Sequence, residues 1–379
     1  MIDKIIYVHD TFFRIHRDMG IELLREKGYE IELWSTYKIK YNNTLGIPKD
    51  ISKDKVIYLK NRLEIIKRLK NQNWENTLLF ITTTGNRGGI EDFIRITVSL
   101  IGGRYCNFIY ELTPIGLAHS KKEKTWKSGI EEAISDSKLK IGQKIIGLYC
   151  KPTYCFVTTR KAADWLLQSW EKECAISVHN KDYDEYILSR RGKKPILQNY
   201  LVFIDDDMVN AEDFRKRKQQ LIYPIPDTYY KNITKLFDKL EELYGLPVII
   251  AAHPKSEYRG NEFGDRKIVY YKTEQLVREA KIVITHASAA MNYIVLYHKS
   301  YIFLIDQNIR KHMVWRHSFL PMIKEMNIKA FDFSVGNFDE KYINHYDSYY
   351  DRYMKKYIKE TEDNGKLFYE IVDEYIQRL

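Results

Sequence analysis

Short apolar, β-branched runs alternate with helix-like segments along most of the chain, and no other feature narrows the possible folds as far. The opening KIIYVHD reads as a strand, IHRDMGIELLREKGY as a helix closed by Gly28, and EIELW as a second strand. The unit recurs in NTLLFITTTG, the helix-like IEDFIRITVSLIGG, the strand CNFIYEL, and TYCFVTT followed by RKAADWLLQSW. Parallel neighbours need a crossover that a helix supplies, so this alternation predicts a parallel α/β sheet.

Around residues 188–199 the alternation breaks into a basic stretch, RRGKK followed by Pro195, and a domain boundary is expected there. A second series begins at once. LVFID, PVIIAAHP, KIVYYK, KIVITHAS and YIFLID read as strands, with KNITKLFDKLEELYG, TEQLVREA and SAAMNYIVLYHK as the helices between them. Two α/β series of similar size predict two Rossmann-like domains with a cleft between them, the arrangement called GT-B. The expected division is 1–190, 198–340 and a C-terminal helical segment, 341–379, that packs back on the N-terminal domain. In that segment Tyr346, Tyr349, Tyr350, Tyr353 and Tyr357 mark one helical face, a stripe that signals packing.

Composition agrees with this architecture. A chain of 379 residues outgrows a single core. With 44% hydrophobic and 30% charged residues it is neither disordered nor fibrous. No apolar run approaches the roughly 18 residues of a membrane span, and the start MIDKIIYVHD lacks a signal peptide's length and cleavage site, so a cytoplasmic location is expected. Cys106, Cys150, Cys155 and Cys174 lack metal-binding spacing and read as buried free thiols. An excess of 61 Lys+Arg over 51 Asp+Glu gives a net charge of +10 and favours anionic partners. Nucleic acid is not expected among them, because the lysines spread over both halves and no nucleic-acid-binding motif is present.

Ligands of open parallel sheets bind beyond the carboxyl ends of the strands, so strand ends are where chemistry is expected. The run VIIAA ends at His253-Pro254-Lys255-Ser256 and the run KIVI at Thr285-His286-Ala287-Ser288. Ser288 is expected to cap the helix that follows, beside unpaired backbone N–H groups, and the two clusters together form a candidate anion site. In the first half, Glu111 ends the strand CNFIY, and His9 and Asp10 end KIIYV, which makes Glu111 and then Asp10 the candidate bases. The triplet Asp205-Asp206-Asp207 follows LVFI; a turn or cap explains it better than a metal site, and Asp205 is expected to line the ligand site. Arg87-Gly88-Gly89 lacks dinucleotide-binding spacing. The stretch 120–151 carries eight lysines against four acids, with Trp126 among them, and reads either as a solvated helix surface or as a peripheral contact with anionic lipid or an anionic acceptor.

The dipeptide His253-Pro254 followed by Ser288 resembles the motifs of bacterial sialyltransferases and related enzymes that use CMP-activated keto sugars. More broadly, HPKSEY, NEFGDR, HNKDYDEYI and the block from Thr273 to Leu296 resemble proteins of bacterial surface-polysaccharide clusters. The resemblance implies a catalytic His253 that contacts the donor phosphate and a Ser288 that helps hold the cytidine monophosphate; with the other polar residues at these strand ends and Asp205, the expected donor site is His253, Pro254, Lys255, Ser256, Thr285, His286, Ser288 and Asp205 in the C-terminal domain. The chain departs from the family pattern in lacking the acidic pair followed by glycine that supplies the base, and YELTP around Glu111 is the nearest analogue.

The expected function is an inverting, metal-independent glycosyltransferase with no cofactor. It would move an acidic keto sugar of the sialic, pseudaminic, legionaminic or Kdo type from CMP to a glycan or lipid-linked glycan acceptor, in the cytoplasm, and at the inner face of the cytoplasmic membrane if the basic stretch is a lipid contact and not a solvated surface. A nucleotide-sugar epimerase of the same fold, or a transferase using a UDP or GDP donor, is the alternative.

Overall fold

The computed structural model describes residues 1–10, 20–40, 55–82, 89–110, 112–114, 147, 149–192, 199–209, 226–254, 256–311, 315–360 and 365–379. The chain divides into two compact units, one of Met1–Leu112, Lys121–Asp184 and Lys359–Leu379, the other of Thr113–Ser120 and Glu185–Ile358.

In the first unit seven strands form one sheet: β1 (Lys4–His9), β2 (Glu30–Ser35), β3 (Val56–Tyr58), β4 (Thr77–Ile81), β5 (Arg104–Ile109), β6 (Tyr154–Val157) and β7 (Ala175–Ser177). Their order is β3-β2-β1-β4-β5-β6-β7, and every pairing is parallel. The period of two along β1 sends Ile5 and Tyr7 to one face and Ile6 and Val8 to the other. All four are fully buried, which explains an unbroken apolar run in place of alternation. Ile6 and Val8 share a core with Ile90, Ile94 and Val98, one stripe of the helix Ile90–Leu100. Ile5 and Tyr7 share theirs with Phe368, Tyr369, Val372 and Ile376 of the chain's last helix, Phe368–Ile376.

That last helix packs in the first unit, but the tyrosine stripe does not accompany it. Tyr350, Tyr353 and Tyr357 are buried in the second unit, their hydroxyls bonded to Lys299 O, Asn292 Oδ1 and Glu325 Oε2. The expected single terminal segment, 341–379, is therefore shared between the units. At the other boundary, Asp184 Oδ1 accepts from Phe368 N at 2.7 Å within the first unit. The adjacent Glu185 accepts from Tyr293 Oη within the second. The division thus falls inside the helix Lys181–Arg191, ahead of the basic stretch.

The second unit carries β8 (Leu201–Ile204), β9 (Val248–Ala252), a short β10 (Glu262–Asp265), β11 (Ile268–Tyr270), β12 (Ile282–Thr285), β13 (Tyr301–Ile305), β14 (Ala330–Asp332) and β15 (Ile343–Asn344). The sheet order is β11-β9-β8-β12-β13-β14, all parallel, with β15 antiparallel on β13. Phe263 of β10 packs against Phe203 of β8 and Phe237 of the helix Pro226–Tyr244. Sequence reading misses β3, β7, β10, β14, β15 and the helix Arg62–Lys70, all short or weakly patterned; that helix is set by Asn61, whose side chain accepts from Glu64 N. RKAADWLLQSW is two short helices, Arg160–Ala163 and Ser169–Glu173, each with its own cap at Thr159 and Gln168. Among the described residues no helix is long and apolar enough to cross a membrane.

Candidate functional site

Where successive connections leave a parallel sheet in opposite directions, a crevice opens at the carboxyl ends of the strands. In the second sheet β9 lies on one side of β8 and β12 on the other, so this point falls between residues 205–207 and 285–288. Asp205 is buried there and spans to the next strand end. It accepts from Asp207 N at 3.0 Å, from His253 N at 3.2 Å and from the Tyr258 hydroxyl. Burial raises its carboxyl above the ordinary value, against the pull of these three bonds. Asp205 thereby ties the end of β8 to the end of β9 and holds the His253 turn. That turn closes on itself, since His253 O accepts from Ser256 N at 3.0 Å and from Ser256 Oγ at 2.7 Å.

Asp206 is the half-buried member of the triplet, and its carboxyl meets Ser288. Burial pushes it up to about 7; the Ser288 hydrogen bond opposes this and Asp205 adds to it. Near neutral pH it therefore exchanges a proton readily, in the crevice between β8 and β12. Ser288 Oγ also accepts from Ala290 N at 3.2 Å. The helix itself starts later, at Met291, with Ala290 as an N-cap that makes no side-chain bond, so Ser288 closes a turn ahead of the helix instead of capping it. Thr285 is fully buried and its hydroxyl donates to His286 O at 3.0 Å. His286 is fully buried as well, with Nδ1 3.0 Å from Leu304 O and Nε2 2.9 Å from Tyr229 Oη. Burial lowers its pKa to about 4, so the neutral ring donates from Nδ1 and accepts from the tyrosine. Both of its nitrogens serve the unit's interior.

The first sheet has the corresponding point between β1 and β4, because β2 lies on the other side of β1. His9 Nδ1 and Thr82 Oγ1 bridge it at 2.9 Å. His9 Nε2 is 3.2 Å from Asp10 Oδ1, and Lys40 Nζ is 3.6 Å from Asp10 Oδ2 and 2.5 Å from Glu91 Oε1. Glu91, in the first turn of the helix Ile90–Leu100, is fully buried. Burial lowers the His9 pKa, with Lys181 and Lys40 acting the same way against Asp10 and Thr82. A neutral imidazole beside a carboxylate, held by a threonine, can receive a proton. Sequence reading names Asp10 and His9 but not their partners Lys40, Thr82 and Glu91, which are distant in the chain.

Glu111, Lys255, residues 87–88 of the glycine pair's segment and residues 120–146 and 148 of the basic stretch lie outside the described residues. Cys106, Cys150 and Cys155 are buried and Cys174 half-buried; burial pushes the Cys174 thiol up to about 11 and Cys106 further, so both stay protonated. An open polar groove of about 470 Å³, lined by Asp3, Lys4, Glu30 and Asn76 among others, lies at the amino ends of the first sheet, opposite the strand ends described above.

No protein-family model matches the chain, and no curated protein does. Among solved structures it is similar to the wall teichoic acid polymerase TagF, at 12% identity and a TM-score of 0.53 over 99% of this chain and 89% of that one. The fold is GT-B. Two UDP-N-acetylglucosamine 2-epimerases also align. The one from Rickettsia bellii does so at 12% identity and a TM-score of 0.43, covering 100% and 97% of the two chains. The one from Methanocaldococcus jannaschii does so at 13% identity and a TM-score of 0.47, covering 99% of each. At these identities the GT-B likeness speaks for architecture, and activity has to be argued from the sites themselves.

Proposed function

We propose that the chain is a glycosyltransferase whose second unit binds a nucleotide-activated sugar at the switch point between β8 and β12. The observation that carries this reading is the constellation there: Asp206 hydrogen-bonded to Ser288, beside a His253 turn that Asp205 holds in place. A small hydroxyl, an imidazole and a carboxyl that is largely neutral below pH 7 can surround a phosphate without a second full negative charge. The fold likeness to a polymerase of wall teichoic acid is in keeping with a transferase that builds a surface polymer. A cytidine nucleotide is the donor we favour, on the resemblance of His253-Pro254 and Ser288 to transferases of CMP-linked keto sugars.

In the transfer, the acceptor hydroxyl attacks the anomeric carbon, the bond to the donor phosphate breaks with its electron pair on the phosphate, and the acceptor proton passes to a base. Glu111 is the base we favour and Asp10 the next. No metal is assigned a part.

Calorimetry with CMP, CDP, UDP and GDP tests the reading. The cytidine nucleotides should bind best, and His253→Ala and Ser288→Ala should each lose roughly 1–3 kcal/mol of that affinity, the range for a hydrogen bond to a charged group. Unchanged binding in both variants would falsify the assignment of the donor site. Turnover of a nucleotide sugar into its epimer with no acceptor present would replace transfer by epimerisation.

A further inference from the structure

We infer that Tyr271 is the platform on which the base of a bound nucleotide stacks. This rests on the nucleotide-donor reading above and adds the subsite for the base. Tyr271 leaves β11 directly, and Tyr270 lies in register with Ala252 of β9, so Tyr271 and His253 emerge side by side at the same sheet edge. The Tyr271 hydroxyl reaches Pro254 O at 3.4 Å, which keeps the ring beside the His253-Pro254 turn.

Two properties of Tyr271 have no explanation in folding. Its φ of 59° is left-handed, a conformation that costs a side-chain-bearing residue about 1–2 kcal/mol and that glycine or asparagine would adopt more readily. The residue is also 64% exposed, so little burial offsets that strain. The neighbouring Tyr270 ring is 6.3 Å away and tilted by 42°, which leaves the Tyr271 face uncovered by it. A strained backbone that presents an uncovered aromatic ring at a ligand-binding edge points to use of the ring itself.

The position suits a base. β11 and β8 are separated by one strand, β9, so their carboxyl ends are about 10 Å apart at two strand spacings. A phosphate met at His253 and Ser288 leaves ribose and base to extend along the strand ends toward β11. Every nucleobase has a π-face, so stacking on Tyr271 adds affinity without choosing among bases. The choice of cytidine must then come from other contacts.

Calorimetry on the full chain with CMP, UMP and GMP tests this, using Tyr271→Phe and Tyr271→Leu. Phenylalanine keeps the stacking face and should keep wild-type affinity. Leucine keeps bulk without a π-face and should weaken all three nucleotides by roughly 5- to 150-fold, the range for one base–aromatic stack. Melting temperatures of the two variants should agree, since the ring is exposed. If the wild type binds none of the three, the donor reading falls and this inference with it. If the wild type binds but the leucine variant binds equally well, or phenylalanine loses as much as leucine, the stacking role falls while the donor reading stands.

Discussion

At the residue scale, a buried histidine and a half-buried carboxyl near the second sheet's switch point are displaced in directions that oppose each other in pH. His286 stays neutral when folded until about pH 4, whereas its ordinary value is 6.5. Between these values the unfolded chain binds the extra proton, so this residue makes stability rise with pH. Asp206 keeps its proton when folded up to about 7, against an ordinary 3.8. Here the folded chain binds the extra proton, so its contribution is intact below about pH 4 and is lost as pH rises through 7. Asp206→Asn removes the second effect alone. Urea midpoints should therefore coincide for wild type and variant near pH 4, with the variant increasingly the more stable of the two toward pH 8. Parallel pH profiles for the two proteins would mean that Asp206 titrates as an ordinary carboxylate.

At the scale of elements, the first unit depends on its two ends meeting. Gly20 precedes the helix Ile21–Glu26 with φ 57°, and a Cβ built on it would lie 2.2 Å from the Tyr369 ring in the last helix. Gly20→Ala meets two penalties: about 1–2 kcal/mol for a left-handed alanine and about 1–3 kcal/mol for overpacking. A loss of roughly 2–5 kcal/mol in denaturant unfolding is expected. Combining it with Tyr369→Ala, which removes the ring atoms 2.2 and 2.3 Å from that Cβ and leaves only the residue's own Cβ at 2.8 Å, should recover most of the steric part and leave the backbone part, a non-additivity that a double-mutant cycle measures. Strict additivity would place the ring away from Gly20. The same dependence explains why a weakly punctuated C-terminal tail carries a core helix: Phe368, Tyr369, Val372 and Ile376 follow helical periodicity, and burial of that stripe supplies what short-range signals do not.

Across the whole molecule, charge and fold lead to an expectation about metal. With a net charge of +10 the chain attracts an anionic donor at long range, and Asp205, the acid most like a metal ligand by position, has its oxygens bonded to two backbone amides and a tyrosine. Nucleotide binding should therefore survive EDTA and weaken as ionic strength rises. Calorimetry in EDTA at low and high salt measures both. Loss of binding in EDTA with recovery on adding Mg²⁺ or Mn²⁺ would restore the aspartate triplet as a metal site.

Several features were legible in the sequence by itself. Two parallel α/β series, an apolar strand at each expected place in the second unit, and polar clusters at His253 and Ser288 all follow from local periodicity, because burial on both faces of a strand writes itself into the residues of that strand. The order of strands within each sheet does not. It depends on which crossover goes to which side, and only that order places Asp206 against Ser288 and His9 against Thr82. Tertiary packing also turned His286 inward to Tyr229 and Leu304, assigned Asp205 to the His253 turn, and divided the tyrosine stripe from the last helix. A histidine or carboxylate at a strand end looks the same in sequence whether it faces a ligand or its own chain; hydrogen-bond partners 18 to 57 residues away decide which.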